Sequence, residues 1–228
     1  MSAHDPHDPG HDPGHDPGHD HDHDHDHRHP NQPDLEDAPL GYYPAMADAV
    51  AELLIEKGLF DAEALRRQID HMASRTPALG ATLVARAWVD LAFKDRLLAD
   101  SRAAAAELDI DTGPAPILVM ENTDAVHNVI VCTLCSCYPV FLLGKSPDWY
   151  KSRNYRSRVV KNPRAVLAEF GTIVPEDRAV RVHDSTADMR YMVLPRRPAG
   201  TEGWSEEALA DLITRDALVG VCEVTAER

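Results

Sequence analysis

Three cysteines fall within six residues, in Cys132-Thr133-Leu134-Cys135-Ser136-Cys137, and soft thiolates this close together are metal ligands or redox groups. They sit too near one another for ordinary disulfides. If Cys135 and Cys137 bind one ion through sulfur, the backbone nitrogens of Ser136 and Cys137 lie between them and close three fused chelate rings of six, five and five members. That makes a near-planar set of two sulfurs and two deprotonated amides. Cys132 can swing over as an axial fifth ligand, and one position stays open. An open position lets a metal polarise a substrate or make a nucleophile of water. Amide nitrogens lose their protons only to a strongly acidic ion, which suits trivalent, low-spin cobalt or iron. The same cysteines could instead form a tetrahedral structural zinc site completed by His127 or Cys222. Spacing alone leaves both chemistries open.

The elements that must hold this loop can be read from period and caps. Between Pro44 and Leu108 the chain is helical. Met46, Val50, Leu53 and Leu54 recur at three and four before Gly58 stops the run, and Asp61 can cap a second helix with Leu65, Ile69 and Met72 on its apolar face. His71 there is expected at the surface. Pro77 interrupts, and helical stretches follow from Leu79 to Trp88 and through Leu97 and Leu98. From Ile117 the texture is strand, Ile117 to Met120 and His127 to Val131, with the cysteines directly after. Ser146-Pro147 and Asn162-Pro163 each place a capping side chain before a proline at the first helical position, and Gly171 ends the second helix. Val180 to His183 and Met189 to Leu194 are predicted strands around a turn at Asp184-Ser185-Thr186. Ser205, followed by Glu206 and Glu207, opens a final helix. The predicted fold class is α+β or mixed α/β. It has a helical arm over residues 40–112 and a layered α/β domain over 113–228 that carries the cysteine loop.

Residues 1–39 read as a disordered tail of His-Asp-Pro-Gly units passing into alternating His-Asp, with almost nothing apolar to bury. Ten of the thirteen histidines lie there, so the segment is either a solubilising tail or a loose store of divalent metal. Over residues 1–34, nine Asp against one Arg supply −8 of the net charge of −15, leaving a mildly acidic body. A phosphate-binding surface must be basic, so nucleic acid is not an expected partner. With no run of eighteen apolar residues and no secretory leader, a soluble, cytoplasmic protein is expected and no membrane partner.

Val131-Cys132-Thr133-Leu134-Cys135-Ser136-Cys137-Tyr138-Pro139 resembles the metal-binding signature of nitrile hydratase alpha subunits, in the form with Thr directly after the first cysteine, which goes with cobalt; the iron form has Ser. The resemblance extends from about Tyr43 to Val221. It takes in Glu121-Asn122-Thr123, Val126-His127-Asn128, Trp149-Tyr150-Lys151-Ser152, Tyr155-Arg156, Arg158-Val159-Val160, Val182-His183-Asp184-Ser185, Met189-Arg190-Tyr191, Arg197 to Trp204 and Thr214-Arg215-Asp216. It implies an enzyme that hydrates nitriles to amides at one Co3+ per chain. The implied ligands are the sulfurs of Cys132, Cys135 and Cys137 and the backbone nitrogens of Ser136 and Cys137. It further implies Cys135 as sulfinic acid and Cys137 as sulfenic acid, early steps of thiol oxidation. The sulfenate oxygen or a metal-activated water is the implied nucleophile, with Ser136 donating to the metal-bound group.

By the same resemblance a beta subunit completes the pocket and supplies two arginines for the oxidised sulfurs. The chain alone is then inactive, and the alpha-beta pair can double into a heterotetramer. The helical arm is the expected clasp on that partner, and a cobalt activator chaperone is a possible further one. Arg190 matches a family arginine near the cluster and could hydrogen-bond behind the ligands, or serve only in an ion pair at a strand end. Two positions depart from the family pattern. Val140-Phe141 stands where Trp-Pro or Arg-containing pairs are common, at the border of the pocket, and Thr76 replaces a Gly in a loop. Two rivals remain at this level: the gamma subunit of thiocyanate hydrolase, which shares the cysteine loop and cobalt, and a non-enzymatic zinc-binding module.

Overall fold

Asp61 caps a helix as its position predicts: its carboxylate accepts the Ala64 N–H at 2.6 Å and starts α2, Ala62–Ala73. Before it runs α1, Tyr42–Glu56, and Gly58 between them takes φ +68°, a left-handed turn that ends the first helix. The structure is a computed structural model of the chain and describes residues 41–226; the expected His/Asp tail lies outside them. Neither α1 nor α2 buries a single residue. Tyr42, Tyr43, Met46, Val50, Leu53 and Ile69 stand open to solvent.

The core begins at α3, Pro77–Val89, where Pro77 occupies the first helical position behind Thr76 and Ala81, Leu83, Val84, Ala85 and Ala87 are buried. Short helices α4, Leu91–Ala99, and α5, Ser101–Ala106, are capped by Asp90 and Asp100 and fold back on the first strand. Four strands follow: β1, Ile117–Glu121; β2, Val126–Val131; β3, Ala179–Asp184; and β4, Arg190–Leu194. They make two parallel pairs, β1 with β4 (Val119 opposite Met192) and β2 with β3 (Val129 opposite Val182). The turn predicted after β3 exists, with Thr186 N–H on the Met189 carbonyl, but the strands around it do not pair with each other. β2 is buried along nearly its whole length, while β3 alternates between covered and exposed positions. A parallel pair needs a long crossover, and that from β2 to β3 holds the cysteines and four short helices.

Those helices are α6, Val140–Leu143; α7, Asp148–Lys151; α8, Arg153–Val159; and α9, Pro163–Glu169. Asn162 caps α9 through the Ala165 N–H. Ser146 does not cap: Pro147 itself precedes α7, and Ser152 instead accepts the Tyr155 N–H to start α8. The Ser-Pro pair therefore marks a chain direction, and the helix expected after it is split in two. Ser205 caps α10, Glu206–Ala210, as predicted, yet a further helix follows, α11, Arg215–Val219, capped by Thr214. Among the described residues no helix is long and apolar enough to cross a membrane.

Candidate metal centre

The cysteine loop leaves the carboxyl end of β2, and the end of β3 beside it holds it in place. Asp184 accepts both the Thr133 N–H at 2.9 Å and the Thr133 hydroxyl at 2.5 Å, and the Ser185 N–H donates to the Val131 carbonyl at 2.7 Å. Carboxyl ends of parallel strands are where α/β sheets place their sites. From below, the Tyr150 hydroxyl on α7 donates to the Cys137 carbonyl at 2.9 Å, and Tyr155 on α8 donates to the Ile130 carbonyl at 2.7 Å. Arg156, the next residue of α8, donates through Nη1 to the Cys135 carbonyl. Tyr138, Trp149, Tyr150, Tyr155 and Phe170 interlock edge to face around this floor, with Tyr138 and Tyr150 centroids 4.8 Å apart.

The three sulfurs converge. Cys132 Sγ and Cys135 Sγ are 3.4 Å apart, Cys135 Sγ and Cys137 Sγ 3.2 Å, and all three fit within 4.8 Å. Sulfurs bound to one ion at about 2.3 Å would lie about 3.3 Å apart at right angles and about 3.8 Å apart at tetrahedral angles. The Cys132–Cys135 and Cys135–Cys137 edges lie nearer the right-angled value. Cys132 is buried, Cys137 half-buried and Cys135 exposed, as is Ser136 between them. The Cys135 thiol is pulled down to about 7, first by its hydrogen bond with Cys137 and then by that with Cys132. Burial pushes Cys137 up to about 12, and the bond to Cys135 adds to it.

The donors proposed to complete a zinc site lie elsewhere. His127 is buried with Nε2 on the Gly220 carbonyl at 2.7 Å and Nδ1 3.3 Å from Glu223 Oε1, and Cys222 contacts the Thr214 hydroxyl at 3.5 Å. Among the described residues no fourth His, Cys, Asp or Glu joins the cluster. His71 is exposed, against Arg75 and 6.3 Å from the Phe141 ring.

Arg190 begins β4, its guanidinium on the Thr186 and Met189 carbonyls, and its charge favours the Cys137 thiolate. It shares the lining of a cavity of about 100 Å³ with Ile117, Tyr138, Pro139, Val140 and Phe141. The Phe141 ring is pinned there. A Cβ at Gly113, whose φ is +76°, would lie 2.3 Å from it, and Arg75 stacks on the ring 5.2 Å from its centre. The cysteines, Ser136, Arg190 and Val140-Phe141 stand out in the sequence, whereas Asp184, Tyr150 and Arg156, whose contacts to the loop span 51, 13 and 21 residues, do not.

Three convergent cysteine sulfurs at the strand ends of a mixed α/β fold make a cluster that could hold a metal ion. A family model described as nitrile hydratase, alpha chain, matches residues 42–222, and the chain belongs to that family. It is 51% identical over 183 residues to the low-molecular weight cobalt-containing nitrile hydratase subunit alpha of Rhodococcus rhodochrous, covering 78% of this chain and 86% of that one. Over 185 residues it is 44% identical to thiocyanate hydrolase subunit gamma of Thiobacillus thioparus, covering 76% of each. Among solved structures, a double mutant of the Fe-type nitrile hydratase from Comamonas testosteroni Ni1 aligns with a TM-score of 0.76 and 44% identity, covering 83% of this chain and 93% of that one.

Proposed function

We propose that the chain is the metal-carrying subunit of a cobalt nitrile hydratase, which adds water to a nitrile to give an amide and works only with a beta subunit. The three convergent sulfurs carry the reading. Cys132, Cys135 and Cys137 through sulfur, with the Ser136 and Cys137 backbone nitrogens, would hold one Co3+. Thr133 in the second place of the loop and the cobalt-containing relative favour cobalt over iron. Bound there, the ion supplies a Lewis acid for the nitrile nitrogen and an acidifying site for water.

The chain's own groups divide the work by exposure. Cys132, sealed behind the loop, stays a thiolate, whereas exposed Cys135 and half-buried Cys137 are open to oxidation, to sulfinate and sulfenate respectively. The Cys137 sulfenate oxygen, or a water beside it, attacks the nitrile carbon. Ser136 donates a hydrogen bond to the reacting group, and Arg190 offsets the negative charge at Cys137. The small cavity against Phe141 takes the carbon chain of the substrate. The uncovered apolar residues of α1 and α2 clasp the beta subunit in a pair able to double, with the protein acting in the cytoplasm.

Elemental analysis with intact mass, on the complex purified with its co-expressed partner, tests this. One cobalt per chain and an added mass of about three oxygens, the sum of a sulfinic and a sulfenic step, is the expected result. Zinc without added oxygen, repeated in cobalt-supplemented cells, would replace it with the structural clip. Hydrolysis of thiocyanate with no turnover of any nitrile would move the chain to the gamma-subunit reading.

A further inference from the structure

Arg156 is the residue whose contacts the reaction as described leaves unexplained. Its Nη1 donates to the Cys135 carbonyl, while its Nε is buried without a hydrogen-bond partner among the described residues. Arg158, on the same helix, is by contrast paired with Glu169. Among the described residues no carboxylate comes within ion-pair distance of Arg156. Arg156 is half-buried, but a buried N–H such as its Nε is rarely left without an acceptor, because the lost hydration is not replaced. The guanidinium lies against the backbone of the most exposed ligand of the cluster, with a donor to spare and an acceptor missing. The thiol form of Cys135 offers no oxygen to fill it.

We propose that Arg156 is the alpha chain's own anchor for oxidised Cys135: it fixes the loop through the Cys135 carbonyl and offers its remaining N–H groups to the oxygens that the sulfur gains. The inference rests on the reading of the loop as an oxidised metal centre. The oxidation balances with dioxygen alone. As a thiolate becomes a sulfinate, two S–O bonds form, the O–O bond breaks, sulfur gives up four electrons and dioxygen takes them up, and the net charge stays −1. The negative charge moves from a soft sulfur to two hard oxygens, which are far better acceptors for a planar guanidinium fork. Arg156 is a positioning residue in this account, acting on Cys135 before and independently of any group that the beta subunit contributes.

The test uses the cobalt-loaded alpha-beta complex purified without air, then exposed to air, with the mass of the peptide carrying Cys132 to Cys137 followed in time. In Arg156→Met, uptake of the second oxygen at Cys135 is expected to slow about tenfold at unchanged cobalt content, the scale of one charge-assisted hydrogen bond. Arg156→Lys, which keeps the charge and loses the fork, is expected to fall between the two and to shift the sulfur-to-metal absorption less. Cobalt-loaded Arg156→Met that oxidises at the wild-type rate, whatever its stability, would overturn the proposal. Should the Met variant fail to accumulate, the same comparison between wild type and Arg156→Lys decides, and equal rates there overturn it. Wild-type protein that binds cobalt and never gains oxygen would instead sink the reading of the centre itself.

Discussion

Cys135 and Cys137 are two residues apart and shift oppositely: hydrogen bonds with Cys137 and Cys132 pull the Cys135 thiol down to about 7, while burial pushes the Cys137 thiol up to about 12. Arg190 is the group that works against that burial. Its charge favours anionic Cys137, and the Thr186 and Met189 carbonyls hold its guanidinium in one place. Both bonds leave Nη1, so a lysine would keep the charge but lose the guanidinium's second terminal nitrogen and its fixed, planar direction. Arg190→Lys is therefore expected to lower the rate of nitrile hydration about tenfold, as for the loss of one well-placed charged hydrogen bond, with cobalt per chain unchanged. Parallel metal analysis and steady-state rates check this, and a full rate with full cobalt would leave Arg190 a structural ion at a strand end. The cysteines were legible because their chemistry is written in six consecutive residues. Asp184 and Arg156 were not legible as positioning groups, because nothing in a sequence marks a carboxylate or guanidinium whose partner is a backbone atom 51 or 21 residues away.

The elements show the same division between local and non-local signals. Asp61, Asn162 and Ser205 cap the helices they were expected to cap, since a cap needs only its own next three residues. Ser146-Pro147 failed: Pro147 itself precedes α7 without a side-chain cap, and Ser152, six residues on, caps the next helix, α8. Strand positions were also legible, but pairing was not. β3 and β4 flank a turn and look like a hairpin, yet each joins a strand more than fifty residues earlier. That pairing brings Asp184 to the loop and Arg190 to the cavity. On α6, Phe141, held between Gly113 and Arg75, lines a cavity of about 100 Å³ that is proposed to take the substrate. Phe141→Ala should widen it. Turnover of aromatic nitriles relative to acrylonitrile-sized ones is expected to rise roughly tenfold, as one to two kcal/mol of pocket contact is worth. An unchanged ratio across a nitrile series, at equal cobalt content, would show that other residues set substrate size.

At the scale of the molecule the described chain is half finished and half closed. Helix α1 leaves Tyr42, Tyr43, Met46, Val50 and Leu53 open to solvent, while a charged knot, buried at Arg178 and half-buried at Glu223, holds the C-terminal segment. Glu223, in the C-terminal segment, faces His127 of β2 at 3.3 Å and is paired with Arg178, the residue before β3, itself only 5% exposed. Together they tie the chain end to the β2 and β3 pair that carries the cysteine loop. The hydrogen bond with His127, then those with Arg178, hold the Glu223 carboxyl down at about 2 against its burial. The sign follows directly. A carboxylate whose folded pKa lies below its ordinary one stabilises the fold above the ordinary value, about 4.5, and that contribution is lost as pH falls toward about 2. The gap corresponds to about 3 kcal/mol at neutral pH. Glu107 and Glu169 are held down as well, by Arg96 and Arg158, but both are open to solvent and screened. The difference between wild type and Glu223→Gln isolates the knot from them. At pH 7 the Gln variant of the complex should melt about 5 °C lower or more. The gap between the two melting curves should close as pH falls from about 4.5 to about 2, since protonated Glu223 and Gln then carry the same charge. A gap that stays constant across that range would mean that Glu223 contributes packing and neutral hydrogen bonds, and that the charge in the knot adds nothing to the fold.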